Sequence, residues 1–408
     1  MRIAATGFVS DSSGSIASAN AVFLRELLRL GHSVSFFSKP TFVDPREAIA
    51  ACDRSENLEH VDCTNLWGDR FRRAIESFHS GIFLRASEKI DSASYNRGVV
   101  RAMQDFTLAD IDLWLGDWAR GRSDRPVVSF VQGAPGSDAR SVFNHRGLIE
   151  RLAGKTTFLK LAAYAQWRLM LGLPDFRLSD RVIAGSTWSC ELLSKNYAFE
   201  RQYVYALPYP IDLEIFRPAA RLRSPSERLR LFWLGRFVPR KRLDLFLNGM
   251  AVAIRSGCDV EAWVIGKSGF VPNYERLLEE FPYPDRLLHR SSIPRAEVPG
   301  IFSEVDVMSQ PSDDEDFGSS VAEALACGVP AIVGCTNGTS DYICGNSIKL
   351  KGDDPEEFAE AILMMATAKK EGKLVDRSIS RNTALRHFNI EKLGIRLEQI
   401  LLDAANSV

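Results

Sequence analysis

The sequence predicts an α/β protein built from two parallel sheets, each covered by helices on both faces. Short apolar runs alternate with helical patterns along all 408 residues, and this alternation is typical of parallel sheets. The alternation restarts once, after a stretch rich in proline and serine. Hydrophobic residues make up 45% of the chain and charged residues 25%, as in ordinary globular proteins, and the length suits two domains.

The predicted strands are short and bounded by turn residues. In the first half they are Arg2–Ala5, Ser33–Ser38, Ile111–Leu115, Val127–Val131, Arg181–Ala184 and Tyr203–Leu207. In the second half they are Arg230–Leu234, Glu261–Ile265, Leu287–Arg290, Val305–Met308, Ala331–Val333 and Ser347–Leu350. The helices that fit between them include Ser18–Leu30, Leu243–Arg255, Glu297–Ser303, Ser320–Ala326 and Pro355–Lys369.

These elements divide the chain into two domains of similar size. We predict a first domain over 1–207, a linker over 208–229, a second domain over 230–388, and a tail over 389–408. The tail contains a helical pattern, Ile390–Ala405, which we expect to pack back on the first domain. Ligands of such folds bind beyond the carboxyl ends of the strands, so the cleft between the domains is the expected site.

The bulk properties exclude several classes of protein. A formal net charge of -1 gives no reason to expect nucleic acid as a partner. None of the seven cysteines forms a C-x-x-C pair, which favours reduced thiols and predicts a cytoplasmic protein. No stretch approaches the roughly 20 apolar residues of a membrane span.

Two glutamates, Glu315 and Glu323, lie on either side of a turn of small residues that opens a helix. The N-terminus of a helix behind such a turn binds anions, because its free N–H groups and dipole attract negative charge. Carboxylates beside a phosphate site make sense when the phosphate carries hydroxyl-rich sugars. The pattern therefore indicates a sugar nucleotide, although a solvated helix residue and a loop charge are the simpler alternative.

Upstream, a basic loop follows the strand that ends at Gly235. It contains Arg236, Arg240, Lys241 and Arg242, and cations at the end of a strand suit a diphosphate. Gly266 and Lys267 end the next strand in a glycine turn. Taken alone, a solvated loop and a plain β–α turn would explain both features.

The order of these pieces resembles a known family. Glu315-Asp316-Phe317-Gly318 with Glu323 resembles the E-x7-E signature of retaining glycosyltransferases, specifically glycosyltransferase family four with the GT-B fold. Gly235-Arg236 with Lys241 looks like the family's donor-phosphate loop, and 211–218 is similar to its interdomain linker. The resemblance implies two Rossmann-like, doubly wound domains facing a central cleft.

The resemblance also implies a role for each matching residue. The residues implied in catalysis are Arg236, Lys241 and Glu315. The residues implied in donor binding are Gly235, Gly266, Lys267, Ile293, Phe317, Gly318, Ser319 and Glu323, with Gly14 and Ser15 from a first-domain loop. Gln132 and Gly133 would lie on the side of the transferred sugar and the acceptor. No metal or cofactor is implied, because arginine and lysine would neutralise the diphosphate.

The resulting hypothesis is a retaining, metal-independent hexosyltransferase. It would move a hexose from a nucleotide sugar to a sugar, glycolipid or other glycoconjugate, with attack from the face of the leaving group and the donor phosphate as base. Asp316 replaces the family's more usual glycine and slightly favours GDP-mannose over a UDP-sugar. The alternatives are a sugar phosphorylase or epimerase on the same fold, or a weakly catalytic binding subunit, since Gln132 replaces a frequent histidine.

The segment 144–172 combines basic and apolar residues. As an amphipathic helix it would suit the inner face of an anionic membrane and a lipid-linked acceptor. An ordinary first-domain helix with a polar outer face is the alternative.

Overall fold

A computed structural model of the chain describes residues 1–6, 9, 14–38, 54–62, 113–115, 126–133, 136–171, 179–197, 200, 203–219, 228–343 and 345–407. Within these ranges the chain forms two sheets. The first contains β1 Arg2–Thr6, β2 Ser33–Ser38, β3 Leu58–Asp62, β4 Leu113–Leu115, β5 Val127–Val131, β6 Arg181–Ala184 and β7 Val204–Ala206. The second contains β8 Leu229–Leu234, β9 Val260–Ile265, β10 Leu287–Arg290, β11 Val307–Gln310, β12 Ala331–Val333 and β13 Ile348–Lys349.

Helices connect and cover the strands. They are α1 Gly14–Arg29, α2 Ser137–Asn144, α3 Arg146–Ala153, α4 Lys155–Leu171, α5 Thr187–Tyr197, α6 Leu243–Arg255, α7 Arg276–Glu279, α8 Val298–Phe302, α9 Ser319–Ala326, α10 Pro355–Lys370, α11 Ser378–His387 and α12 Ile390–Ala405. Among the described residues, no helix is both long and apolar enough to cross a bilayer.

Both sheets are parallel and follow the same strand order. The first runs β3-β2-β1-β4-β5-β6-β7 and the second runs β10-β9-β8-β11-β12-β13. In each sheet the direction of winding reverses beside the first strand, between β1 and β4 and between β8 and β11. Ligands of doubly wound sheets bind beyond the carboxyl ends of the strands that flank this reversal. The loops after β8 and β11 are therefore the expected walls of a site.

The last helix, α12, packs on the first sheet and not on the second. Its apolar side shares one buried cluster with the inner face of α1 and with strands of the first sheet. Gly394 lies so close to α1 that a Cβ there would come within 2.8 Å of the Cβ of Glu26. At the edges of this interface His32 is hydrogen bonded to Glu398 at 2.9 Å, and Arg181 forms an ion pair with Asp403 at 2.8 Å.

The basic segment 144–172 does not form a single helix. It covers the end of α2, all of α3 and all of α4, and its buried side chains join a cluster of the second domain that includes Trp233, Phe246 and Tyr274. Asn273 donates a hydrogen bond to the carbonyl of Leu152 at 3.4 Å, and Arg151 contacts Glu280 at 2.5 Å. The prediction of one amphipathic helix was wrong, because the chain breaks at His145 and at Gly154, whose φ is +83°. The buried apolar side chains pack against the other domain, and contact with a membrane stays a prediction.

Two strand predictions also differ from the structure. The edge strand β3 was missed, because only Leu58 among its residues is buried. The strand predicted at Val305–Met308 lies two residues later, as β11, and ends in two polar residues, Ser309 and Gln310. Both are fully buried, and the side chain of Gln310 hydrogen bonds to that of Ser312 at 2.9 Å.

Candidate functional site

The site begins where β8 and β9 end side by side. The N–H of Gly235 donates to the carbonyl of Ile265 at 3.0 Å, which holds the two strand ends together. A Cβ on Gly266 would lie 1.9 Å from the carbonyl oxygen of Gly235, so only glycine permits this approach. The following residue, Lys267, is exposed at the rim.

The basic loop after β8 directs two of its cations to one carboxylate. Arg240 and Lys241 lie in a 3-10 turn, Pro239–Lys241, and each places a nitrogen 2.6 Å from the Oε2 atom of Glu315. Glu315 lies in the loop after β11, so this contact joins the two loops that flank the reversal point. Arg242 turns away, because its positive φ of 53° directs its side chain to Asp244, Asp313 and Asp353.

The charges at this contact are strongly coupled. Burial opposes ionisation of Glu315, but the positive charges of Lys241 and Arg240 prevail and lower the pKa of Glu315 to about 2. Burial lowers the pKa of Lys241, and the charge of Glu315 offsets part of that effect. Glu315 thus remains a carboxylate and fixes the direction of both cations.

A second acidic side chain approaches the same cations from the first domain. Asp138, in the first turn of α2, lies 2.5 Å from Arg240 and 3.6 Å from Arg236. Arg236 is 60% exposed, so it is the cation of this loop most open to a ligand. The sequence reasoning missed Asp138, because nothing in its local pattern signals a partner about a hundred residues away.

The helix that opens beside Glu315 has an uncapped N-terminus. Its N-cap residue is Gly318, with φ of +87°, and no described side chain caps the helix. A Cβ on Gly318 would lie 2.5 Å from the Oδ1 atom of Asn337, so the glycine is needed for packing as well as for its backbone angle. The first N–H groups of α9, starting at Ser319, have the arrangement that binds anions. Phe317 is buried against Tyr209 and Phe388 and supplies only backbone to this end of the helix.

Glu323, one turn further along α9, is buried with one cationic neighbour. The Nη2 atom of Arg295 lies 2.8 Å from its Oε1 atom, and burial raises the pKa of Glu323 to about 7 despite that charge. Among the described residues, no hydrogen bond of good geometry reaches Oε1, so a ligand hydroxyl can still donate to it. Ile293 lies two residues before Arg295 and is half-buried. Arg295 was also missed by the sequence reasoning, although its position beside Ile293 was a usable signal.

The first-domain residues approach the site from the opposite wall. Gln132 follows β5, and its Nε2 atom donates to Asn20 of α1 at 2.5 Å. The N–H of Gly133 donates to the carboxylate of Asp316 at 3.2 Å. Gly14 and Ser15 were predicted in a loop, but their backbone forms the first turn of α1. Their role in donor binding stays a prediction. The residues before them, 10–13, lie outside the described residues.

The structure thus brings most of the predicted residues into one region. Lys241 and Glu315 are in contact, Arg236 and Gly235 share their loop, and Gly318 and Glu323 belong to the helix beside them. Asp313 and Asp314, in the same loop as Glu315, are held by contacts with the first domain. His145 lies 3.0 Å from Asp313, and Arg140 lies 2.6 Å from Asp314, so both carboxylates contact the first domain.

Solved structures with this architecture are known. The sucrose-phosphate synthase of Thermosynechococcus elongatus matches over 100% of both chains with a TM-score of 0.66 and 16% identity. HepE of Anabaena, solved in complex with UDP and glucose, matches over 98% of this chain and 99% of its own, with a TM-score of 0.63 and 14% identity. The fold is that of the GT-B glycosyltransferases, which confirms the predicted fold class.

Sequence comparison agrees with the fold. Residues 217–379 match the family model of glycosyl transferases group 1. The D-inositol 3-phosphate glycosyltransferase of Segniliparus rotundus is 28% identical over 49% of this chain and 47% of its own length. A GDP-mannose-dependent alpha-(1-6)-phosphatidylinositol dimannoside mannosyltransferase of Mycobacterium tuberculosis is 28% identical over 38% of this chain and 42% of its own. The second domain thus resembles the glycosyl transferases group 1, and the chain spans about half the length of the curated relatives it matches.

Proposed function

We propose that the chain is a retaining hexosyltransferase that uses a nucleotide-sugar donor. The observation that carries the proposal is the meeting of Lys241, Arg240 and Glu315 between the loops after β8 and β11, beside an uncapped helix N-terminus. Displacement of a nucleoside diphosphate builds negative charge on the leaving oxygen. Fixed cations and helix N–H groups stabilise that charge in the transition state.

The charge balance of the site supports a diphosphate ligand. Without a ligand, the cations Arg236, Arg240 and Lys241 face two carboxylates, Glu315 and Asp138. A diphosphate that displaces Asp138 from the arginines would meet three cations with only Glu315 left to offset them. The gain in attraction comes from this exchange of one carboxylate for a more highly charged anion.

The position of Glu323 suits the end of the site where the nucleoside would bind. It is buried one helical turn from the phosphate end, and a carboxylate can accept hydrogen bonds from both hydroxyls of a ribose. In this proposal Glu315 orients the cations and reaches toward the transferred sugar, while Gln132 and Gly133 lie on the acceptor side. The acceptor would attack from the face of the leaving group, and the departing phosphate would take its proton, so no covalent intermediate forms on the protein. No metal is required in this proposal.

Within this proposal, the donor and the acceptor can each be narrowed to a chemical class. GDP-mannose is our first choice of donor, with a UDP-sugar second, because one relative is described as GDP-mannose-dependent and one structural neighbour holds UDP. A glycan or a lipid-linked sugar is the proposed acceptor.

A donor panel tests the proposal. The protein is mixed with GDP-mannose, UDP-glucose and related donors, with and without simple glycosides, and released nucleoside diphosphate is measured. We expect release with one donor class and a rise in thermal stability with the matching nucleoside diphosphate. Sugar phosphate formed in the presence of inorganic phosphate would favour a phosphorylase instead. Stabilisation without any turnover would favour a binding subunit.

A further inference from the structure

The carboxylate of Asp316 is hydrogen bonded to residues outside its own domain. Asp316 lies in the loop after β11, directly beside Glu315, and is 3% exposed. Its Oδ1 atom accepts a hydrogen bond from the N–H of Gly185 at 3.0 Å. Its Oδ2 atom accepts from the N–H of Gly133 at 3.2 Å and from the hydroxyl of Tyr209 at 2.7 Å. Two of these donors belong to the first domain and the third to the linker.

Glycines make this approach possible. A Cβ on Gly185 would lie 2.6 Å from the Oδ2 atom of Asp316, and a Cβ on Gly338 would lie 1.9 Å from the carbonyl oxygen of Asp316. Gly133 has φ of +107°, a conformation that other residues rarely adopt. A side chain at Gly185 or Gly338 would therefore force the Asp316 loop to move, whereas at Gly133 the backbone angle, and not a lack of space, favours glycine.

The two glycines that donate hydrogen bonds to Asp316 lie at the ligand-binding edge of the first sheet. Gly133 and Gly185 follow the carboxyl ends of β5 and β6, and Asp316 follows the carboxyl end of β11. One carboxylate therefore joins the ligand-binding edges of both sheets. It does so between Glu315, on the donor side of the proposed site, and Gln132, on the acceptor side.

We propose that Asp316 is a positioning residue that holds the donor loop at its reacting distance from the acceptor wall. This inference rests on the proposed transferase function. The carboxylate already receives three hydrogen bonds from the protein, so a direct contact with the sugar would require it to release one of them. Asp313 and Asp314 also tie this loop to the first domain, but their partners are side chains at a partly exposed surface, whereas Asp316 is buried between two backbone N–H groups and the hydroxyl of Tyr209.

Three variants separate positioning from simple structural support. Asp316→Asn and Asp316→Gly remove the charge or the whole side chain, and Tyr209→Phe removes one donor and leaves the buried ring in place. Asp285→Asn is the matched control, because Asp285 is 77% exposed and pairs only with its neighbour Arg286. We expect the Asp316 variants to lose about 100-fold in kcat for transfer, as for misplacement of about 1 Å, while the Kd for nucleoside diphosphate changes less than about threefold. Tyr209→Phe should lose about 5-fold to 10-fold in kcat with the same Kd.

Small-angle scattering supplies a readout that needs no turnover. With nucleoside diphosphate bound, the Asp316 variants should have a larger radius of gyration than the wild-type protein. Unchanged scattering together with a parallel loss of Kd and kcat would overturn the proposal, as would wild-type transfer by Asp316→Gly. If the Asp316 variants fail to fold, Tyr209→Phe provides the test. A loss of kcat with an unchanged Kd supports the proposal, and a parallel loss of both contradicts it. If the wild-type protein transfers no sugar but the Asp316 variants still have a larger radius of gyration, then Asp316 does position the loop and the transferase proposal fails.

Discussion

The Nζ atom of Lys241 lies 2.6 Å from the Oε2 atom of Glu315, across the point where the second sheet reverses its winding. This contact links the loop after β8 to the loop after β11. In the proposed function, the contact fixes a cation where a diphosphate would bind and offsets its charge while no ligand is present.

Replacing Lys241 by alanine should reduce transfer by at least about 100-fold, because a fixed positive charge at the leaving group is lost. The measurement is kcat/KM for release of nucleoside diphosphate. Lys373→Ala is the control, since Lys373 is an exposed lysine of the same domain with a local partner, Glu371. Turnover of Lys241→Ala close to that of the control would contradict the assignment of this loop.

Donor binding should depend on pH through Glu323. The pKa of Glu323 is about 7, so the ionised form that we propose to accept ribose hydroxyls dominates only above that pH. Nucleoside diphosphate should bind about tenfold more weakly at pH 6 than at pH 8, as titration calorimetry would measure. Glu323→Gln should remove this dependence and weaken binding at pH 8.

Arg295 should determine the pH at which nucleoside diphosphate begins to bind more tightly. Its positive charge lowers the pKa of Glu323 against the larger effect of burial. Arg295→Ala should therefore move the rise in affinity to higher pH. A rise that stays near pH 7 in Arg295→Ala would show that this ion pair does not govern the titration.

Asp138→Asn should strengthen nucleoside diphosphate binding. Asp138 occupies Arg240 and Arg236, and the ligand must displace it. Because Asp138 is 41% exposed, the gain should be modest, about twofold to fivefold, and it should shrink at high salt. Glu279→Gln, at an exposed position of α7, controls for a general change in charge. Weaker binding by Asp138→Asn would indicate that Asp138 contacts the ligand favourably.

Glu315 should contribute to stability above acid pH. Its folded pKa of about 2 lies below the ordinary 4.5, so its contribution is fully present above pH 4.5 and is lost as the pH falls toward 2. Glu315→Gln should lower the free energy of unfolding at pH 7 by about 2–4 kcal/mol, and this difference should narrow as the pH falls from 4.5 to 3. Urea denaturation across this range measures it. A constant difference would mean that packing, rather than charge, accounts for the loss.

Much of this architecture could be predicted from the sequence because its signals are local. Apolar runs that end in glycine, as at Leu234-Gly235 and Ile265-Gly266, indicate strand ends, and the turn before Glu323 indicates a helix start. The family resemblance then supplied roles that these patterns alone did not. Edge strand β3 was missed because it has almost no buried side chain to give a signal.

The contacts that could not be predicted are those between distant parts of the chain. The pairing of Asp138 with Arg240 and the hydrogen bonds from Gly133 and Gly185 to Asp316 depend on how the two domains meet. The packing of the segment 144–172 on the other domain also depends on contacts between distant residues, which its local pattern of basic and apolar residues does not show.

The return of α12 to the first sheet has a mechanical consequence. The chain crosses between the domains once near Ile211 and again near Phe388, and the N–H of Ile211 donates to the carbonyl of Phe388 at 3.1 Å. Two crossings joined at one point limit translation between the domains and leave rotation about that point. Any opening of the cleft should therefore be a rotation about Ile211 and Phe388, and it should return Glu315 to nearly the same place when the cleft closes.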